Sequence, residues 1–366
     1  MLFSLRKTPA GSEAQPLLDL ADRLGYRARF LGAGRRVLEL VREDGTPGDA
    51  ADRSRFEDFA LVAGVLDASD APERTERRAD RKATVVRVGD AVFSDDTVSL
   101  IAGPCAVEDQ DDLIEIAAGV REAGATLLRG GAFKPRTSPH AFRGLGEAGL
   151  EMLVRAREAT GLAFVTEVLD PRDVELVAGA ADALQIGSRS MSNQVLLREA
   201  ASSGKPILLK RGLAATVREF LLAAETVLDA GNPNVILCER GVRSFDSVTR
   251  NLLDLGAVAH LTTATHLPVI ADPSHAAGKS HLVPPLARAA LAAGAAGLIV
   301  EVHPAPHTVH SDGAQAISIE TFAELAAAAR AIAPLVGRRF IDGTDSRPLR
   351  VTEPDLAPRA IERTAP

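Results

Sequence analysis

From Val98 to about residue 335 the chain repeats one pattern: a short apolar run ends in glycine or a charged residue, and a longer segment with helical spacing follows. The apolar runs are Val98–Ala102, Thr126–Arg129, Ala163–Glu167, Ala183–Ile186, Ile207–Lys210, Val235–Cys238, Val269–Ala271 and Leu298–Glu301. Most are apolar throughout, as strands buried on both faces must be. Ala- and Leu-rich helical segments follow most of them, among them Leu113–Ala123, Val217–Leu228, Pro285–Ala293 and Ile319–Ile332. Eight such units in about 240 residues predict an α/β chain folded as a (β/α)₈ TIM barrel, with its site at the C-terminal strand ends. An open doubly wound sheet is the alternative, but no Gly-x-Gly-x-x-Gly fingerprint follows the first strand.

The first 70 residues have a different rhythm. Leu2–Leu5 reads as a strand, Ser12–Leu24 as a helix, and Tyr26–Leu31 with Arg36–Val41 as paired strands around Gly32-Ala33-Gly34. A helix near Asp52–Leu61 and a strand near Gly64–Asp67 complete a βαββαβ order, so residues 1–70 are expected to form a small ferredoxin-like α+β domain. Residues 71–97 are expected to be a linker and a short hairpin, made from Thr84–Val88 and Ala91–Phe93. Ser69–Lys82 mixes both signs of charge with few apolar residues, which predicts a solvated connection. The barrel is then 98–335, and the Pro-, Arg- and Asp-rich residues 336–366 read as a poorly ordered tail.

Composition narrows the function. A net charge of −7 and a single tyrosine without tryptophan argue against a nucleic-acid binder. No apolar stretch reaches membrane-span length, the N-terminus lacks a signal-peptide pattern, and two cysteines make no disulfide framework. A soluble, cytoplasmic protein is expected.

Chemistry concentrates at the strand ends. Residues 127–146 place Arg129, Lys134 and Arg136 among Gly130, Gly131, Pro135 and Pro139, with no acid between them. Glu167, Gln185 with Arg189, Lys210-Arg211, Glu239-Arg240, Asp272 with His275, and Glu301 follow at later strand ends. A ring of ionisable groups around strands whose interiors carry almost none points to a site. Cys105, His275, Glu301 and Asp312 offer a thiolate, an imidazole and two carboxylates, a mixed set suited to a divalent transition metal. Arg129, Lys134, Arg189, Lys210 and Arg240 form a cationic set suited to a substrate carrying phosphate and carboxylate.

The stretches Ala102-Gly-Pro-Cys105, LRGGAFKPRTSP (128–139), LQIGSR (184–189), LLKRG (208–212), ILCERG (236–241), DPSHAAGK (272–279), VEVHP (300–304) and SDGAQ (311–315) carry a resemblance. Together they resemble 3-deoxy-D-arabino-heptulosonate 7-phosphate (DAHP) synthase, in its type I-beta branch with an N-terminal ferredoxin-like regulatory domain. The likeness is close over residues 98–335 and holds only in outline before them. It implies a metal-dependent condensation of phosphoenolpyruvate with erythrose 4-phosphate, the first step towards chorismate and the aromatic amino acids. Matched to the family, Cys105, His275, Glu301 and Asp312 become metal ligands, for Mn²⁺, Fe²⁺, Co²⁺ or Zn²⁺. Arg129, Lys134, Arg189, Lys210 and Arg240 become the phosphoenolpyruvate site, with Gln185 and Glu167 as neighbours. Arg136, Thr137 and Ser138 are matched to the aldose phosphate, and Asp272 to the aldehyde end. Lys210, His275 and Cys105 are the catalytic candidates. The resemblance also implies an aromatic amino acid effector and a homotetramer.

Lys134-Pro135-Arg136-Thr137 stands where the sister family making 3-deoxy-manno-octulosonate 8-phosphate has Lys-Ala-Asn-Arg-Ser, which favours the four-carbon aldose. Some positions depart from the family pattern: Ala314 replaces a proline, His140 and Arg143 replace an aromatic residue and a glutamine, and Leu252 and Gly256 replace small hydroxyl residues. They leave two alternatives, a synthase for another aldose phosphate and a catalytically silent barrel that regulates a chorismate mutase.

Overall fold

The structure, a computed structural model, describes residues 1–31, 36–43, 50–66, 72–78, 81–134, 142–305 and 313–344. Eight parallel strands close a barrel: β7 (Thr97–Gly103), β8 (Leu127–Arg129), β9 (Phe164–Glu167), β10 (Ala183–Ile186), β11 (Ile207–Lys210), β12 (Val235–Glu239), β13 (Val269–Ala271) and β14 (Gly297–Glu301). Each pairs with the next in sequence, and β14 returns to β7 with Ile299 opposite Ile101. Alternation of side chains sorts the core into two compartments. Val98, Leu100 and Ala102 of β7 pack outward against the helices, whereas Ile101 joins Leu127, Val165, Leu208, Ile236, Ile270 and Ile299 inside the barrel. The helices start on side-chain caps that the sequence supplies. Asp109 caps α3 (Gln110–Glu122), and Thr216 with Glu219 forms a capping box on α7 (Val217–Asp229).

Ahead of the barrel, β1 (Leu2–Leu5), α1 (Gln15–Arg23), β2 (Tyr26–Leu31), β3 (Val37–Arg42), α2 (Ala50–Glu57) and β4 (Val62–Leu66) form an antiparallel sheet in the order β2-β3-β1-β4. This is the βαββαβ arrangement that the periodicity predicts. Phe3, Leu17, Tyr26, Leu38 and Phe56 fill its separate small core.

Two segments differ from expectation, whereas the expected hairpin forms from β5 (Val86–Val88) and β6 (Ala91–Phe93). Its Val86, Val88, Ala91 and Phe93 pack into the barrel interior and close the N-terminal end, and the Ser99 hydroxyl of β7 binds both the N–H and the C=O of Val92. Residues 72–78 are not the solvated connection that composition predicts. The Glu225 carboxylate accepts the backbone N–H groups of Arg74 and Thr75, at 2.8 and 3.0 Å, and the His266 ring reaches the Arg74 carbonyl at 2.7 Å. Finally, residues 338–344 are held rather than loose. Arg339-Phe340 extends the sheet beside Thr97-Val98, and the Arg338 guanidinium binds the carbonyls of Ser94 and Gly294. Residues 345–366 lie outside the described part of the chain.

The floor hairpin makes a stability prediction. Phe93 is fully buried among interior residues of several strands, so Phe93→Ala should destabilise the barrel by about 3–5 kcal/mol. Denaturant unfolding measures this, and a loss under about 1 kcal/mol would mean that the hairpin is not part of the core.

Candidate active site

The site is built from side chains that the strand ends bring together over the top of the barrel. Asp272 follows β13 and caps the one-turn helix α9 (Pro273–Ala277), accepting the His275 backbone N–H at 2.9 Å. The same carboxylate lies 2.7 Å from His275 Nδ1. An ionised carboxylate only accepts, so Nδ1 carries the proton and Nε2 presents a lone pair. That lone pair faces Glu301 Oε1, from the end of β14, at 3.1 Å. Glu301 Oε1 is buried and no hydrogen bond reaches it among the described residues. Two acceptors turned towards each other in a buried place are an arrangement that a cation resolves. Cys105, two residues beyond β7, completes the group: one ligand atom from each of Cys105, His275 and Glu301 lies within 4.8 Å of the others. Burial pushes the His275 imidazole below its ordinary pKa, which favours the neutral ring that a metal needs. Burial alone would raise the Glu301 carboxyl, but the neighbouring His275 ring and the cations Arg129 and Lys134 outweigh it and hold the group below its ordinary value. Thiol, neutral imidazole and carboxylate fit a divalent transition metal. Asp312, the fourth expected ligand, lies outside the described residues.

Cations pack directly against this triad. Lys134 Nζ donates to the Cys105 carbonyl at 2.9 Å and to its Sγ at 3.0 Å. Burial by itself would depress the Lys134 ammonium, yet the neighbouring Cys105, with Glu167 and Glu301, raises it, so the group is a cation. Arg129 Nη2 donates to the Cys105 carbonyl at 3.2 Å, and its Nη1 lies 3.2 Å from Glu301 Oε1. Lys210, at the end of β11, meets Asp272 at 2.5 Å with both side chains buried. Asp272 therefore has two tasks, to orient His275 and to neutralise Lys210. Burial would raise its carboxyl, but His275, Lys210 and Arg129 hold it well below the usual carboxylate range.

Beside the triad opens a cavity of about 310 Å³, lined by Lys134, Glu167, Gln185, Arg189, Lys210, Arg240 and His275. Gly187 keeps room in its wall, because a Cβ there would stand 1.9 Å from Glu167 Oε1. Of the five expected phosphoenolpyruvate cations, four line the cavity; Arg129 does not, and stands behind it against Glu301. Asp272, expected near the aldehyde end, is likewise enclosed behind the wall. Arg136, Thr137 and Ser138 lie outside the described residues. Two other ionisable strand-end residues prove to be scaffold: Arg211 bridges Glu239 at 2.8 Å and Asp254 at 3.0 Å, tying β11 to the connection after β12. That connection also supplies wall residues missing from the sequence-based set, Arg243, Arg250 and Asn251. Their signal was three arginines, 240, 243 and 250, in a single strand-to-helix connection.

Over residues 81–335 the sequence matches the DAHP synthetase I family. The chain belongs to that family. A phospho-2-dehydro-3-deoxyheptonate aldolase of Thermotoga maritima is 41% identical over 338 residues, covering 92% of this chain and 99% of its own. The crystal structure of the T. maritima DAHP synthase superposes with a TM-score of 0.75 at 39% identity, covering 93% of this chain and 98% of that one. A truncated form of the T. maritima enzyme gives a TM-score of 0.68 at 44% identity over 73% of this chain and 98% of its own. A 2-dehydro-3-deoxyphosphooctonate aldolase of Bradyrhizobium diazoefficiens is 35% identical and covers 66% of this chain and 91% of its own length. His275 belongs both to the triad and to the cavity wall, so the two adjoin.

Proposed function

We propose that this DAHP synthetase I family member condenses phosphoenolpyruvate with erythrose 4-phosphate and water, giving DAHP and inorganic phosphate at the start of the shikimate pathway. The observation that carries the reading is the cavity of converging cations beside the Cys105-His275-Glu301 triad. Lys134, Arg189, Lys210 and Arg240 bind the phosphate and carboxylate of phosphoenolpyruvate, the kind of ligand that several preorganised donors recognise. Glu167 and Gln185 shape the wall beside them. Arg136, Thr137 and Ser138 hold the aldose phosphate. Cys105, His275, Glu301 and Asp312 hold a divalent metal, which when bound supplies Lewis acidity towards the aldehyde oxygen or a water. Lys210 and His275, joined through Asp272, are placed to hold or move a proton beside the reacting atoms.

A panel of aldose phosphates in metal-supplemented buffer tests this reading, with loss of phosphoenolpyruvate as readout. Erythrose 4-phosphate should be the preferred partner. Preference for the five-carbon aldose would move the chain towards the octulosonate enzymes, and turnover with none would make it a silent regulator.

Residues 1–70 act in this reading as the regulatory unit of a cytoplasmic homotetramer, binding an aromatic amino acid. Among the described residues of that unit, no acid, base or metal group forms a cluster of the catalytic kind. An effector works only if it favours one arrangement of the unit over another. A chain starting at Pro72, which keeps the segment bound by Glu225, should retain turnover and lose inhibition by tyrosine or phenylalanine. A full-length enzyme insensitive to every aromatic amino acid would end the regulatory reading.

A further inference from the structure

Glu301 has two carboxylate oxygens in different surroundings. Oε1 faces His275 Nε2 and the Arg129 guanidinium, and no hydrogen bond reaches it among the described residues. Oε2 is taken: Gln315 Nε2 donates to it at 2.6 Å. Gln315 is buried, and its other amide end accepts from Arg250 Nη1 at 3.0 Å. Arginine has no acceptor, so the Gln315 oxygen must turn towards Arg250 and its NH₂ towards Glu301. The guanidinium on the cavity wall thus fixes the direction of an amide that occupies one oxygen of the triad's carboxylate.

Both ends of this chain are anchored by backbone. The Ile317 N–H donates to the Glu301 carbonyl and the His303 N–H to the Ile317 carbonyl, which sets Gln315 alongside the end of β14. The Arg250 N–H donates to the Ala277 carbonyl, and the Asn251 amide donates to the His275 carbonyl at 3.1 Å. Gly278, at φ +67°, makes the approach possible, since a Cβ there would come within 2.6 Å of Arg250 Cβ. The segment bearing Arg250 and the helix bearing His275 are therefore stitched together.

We infer that Gln315, held in orientation by Arg250, is a positioning residue that ties up Glu301 Oε2 and leaves Oε1 as a single-oxygen metal ligand. The inference deepens the metal-site reading and rests on it. Outer-shell partners of this kind tune metal affinity by about 10- to 100-fold when lost.

The test measures metal binding without substrates, by chelator competition and by the visible absorption of bound Co²⁺. Gln315→Met should weaken binding tenfold or more and alter the Co²⁺ spectrum, because Oε2 becomes available as a second ligand. Arg250→Ala should weaken binding by a few-fold with the same spectral change, and Arg250→Lys should restore both, since one donor suffices to hold the amide oxygen. The Arg250 pair decides the matter if Gln315→Met does not fold, because Arg250 is at the surface. Wild-type affinity and spectrum in both Gln315→Met and Arg250→Ala would overturn the inference. A wild-type enzyme that binds no divalent metal would overturn the metal site itself, which is a separate and distinguishable result.

Discussion

Exhaustive chelation, or the change Cys105→Ala, is expected to lower turnover by about three orders of magnitude or more. The estimate follows from the several kcal/mol that a Lewis-acidic metal contributes, at about 1.4 kcal/mol per tenfold in rate. Alanine is the informative replacement because serine would still offer an oxygen. Cys105→Ala keeps the backbone carbonyl that binds Lys134 at 2.9 Å and removes the Sγ contact at 3.0 Å. The chain should therefore fold, and unfolding curves of the metal-free proteins should nearly coincide. Activity of the chelated enzyme should return with added Mn²⁺ or Co²⁺, whereas that of Cys105→Ala should not. Full activity surviving both treatments would remove the metal from the proposed function.

Lys210→Met is expected to be nearly as severe, for a different reason. Lys210 and Asp272 are a buried ion pair, so deleting the cation strands a carboxylate that burial would otherwise protonate. Breaking such a pair by removing one partner typically costs about 3–5 kcal/mol of stability. His275 still satisfies part of Asp272, which places the expected loss near the lower end, about 3 kcal/mol. Turnover should fall on the order of 10³-fold, because a charge facing the substrate cavity is lost with the proton carrier. Metal content should stay near wild type, since Asp272 keeps its bond to His275. Equal losses of metal and activity would show that Lys210 acts only through the triad.

How far the sequence reveals this molecule depends on what kind of bond does the work. The barrel strands were legible because strands buried on both faces must be apolar throughout, and Ile207–Lys210 can hardly be read otherwise. That Lys134, Arg189, Lys210 and Arg240 share one cavity, and that Cys105, His275 and Glu301 come together, was legible because charged side chains are rare in strands and conspicuous at their ends. Residues 72–78 misled because their composition is polar, while their attachment runs through backbone N–H groups that Glu225 collects from far along the chain. Composition carries no record of such bonds. Residues 338–344 were hidden in the same way, through the carbonyls that Arg338 gathers. Asp272 shows a subtler limit. Its place three residues before His275, with a proline between, marks a helix cap. Only burial decides whether the rest of the carboxylate meets substrate or the imidazole, and here it meets the imidazole.

The floor beneath the site also governs traffic. Because Phe93 and its hairpin neighbours stopper the barrel at one end, molecules come and go through the same doorway at the other. Lys134 and Lys210 line the cavity and are themselves buried, so a ligand that reaches them leaves solvent behind. A lid at that threshold would hold back reactants and products alike, so a controller of this enzyme needs to guard one gate.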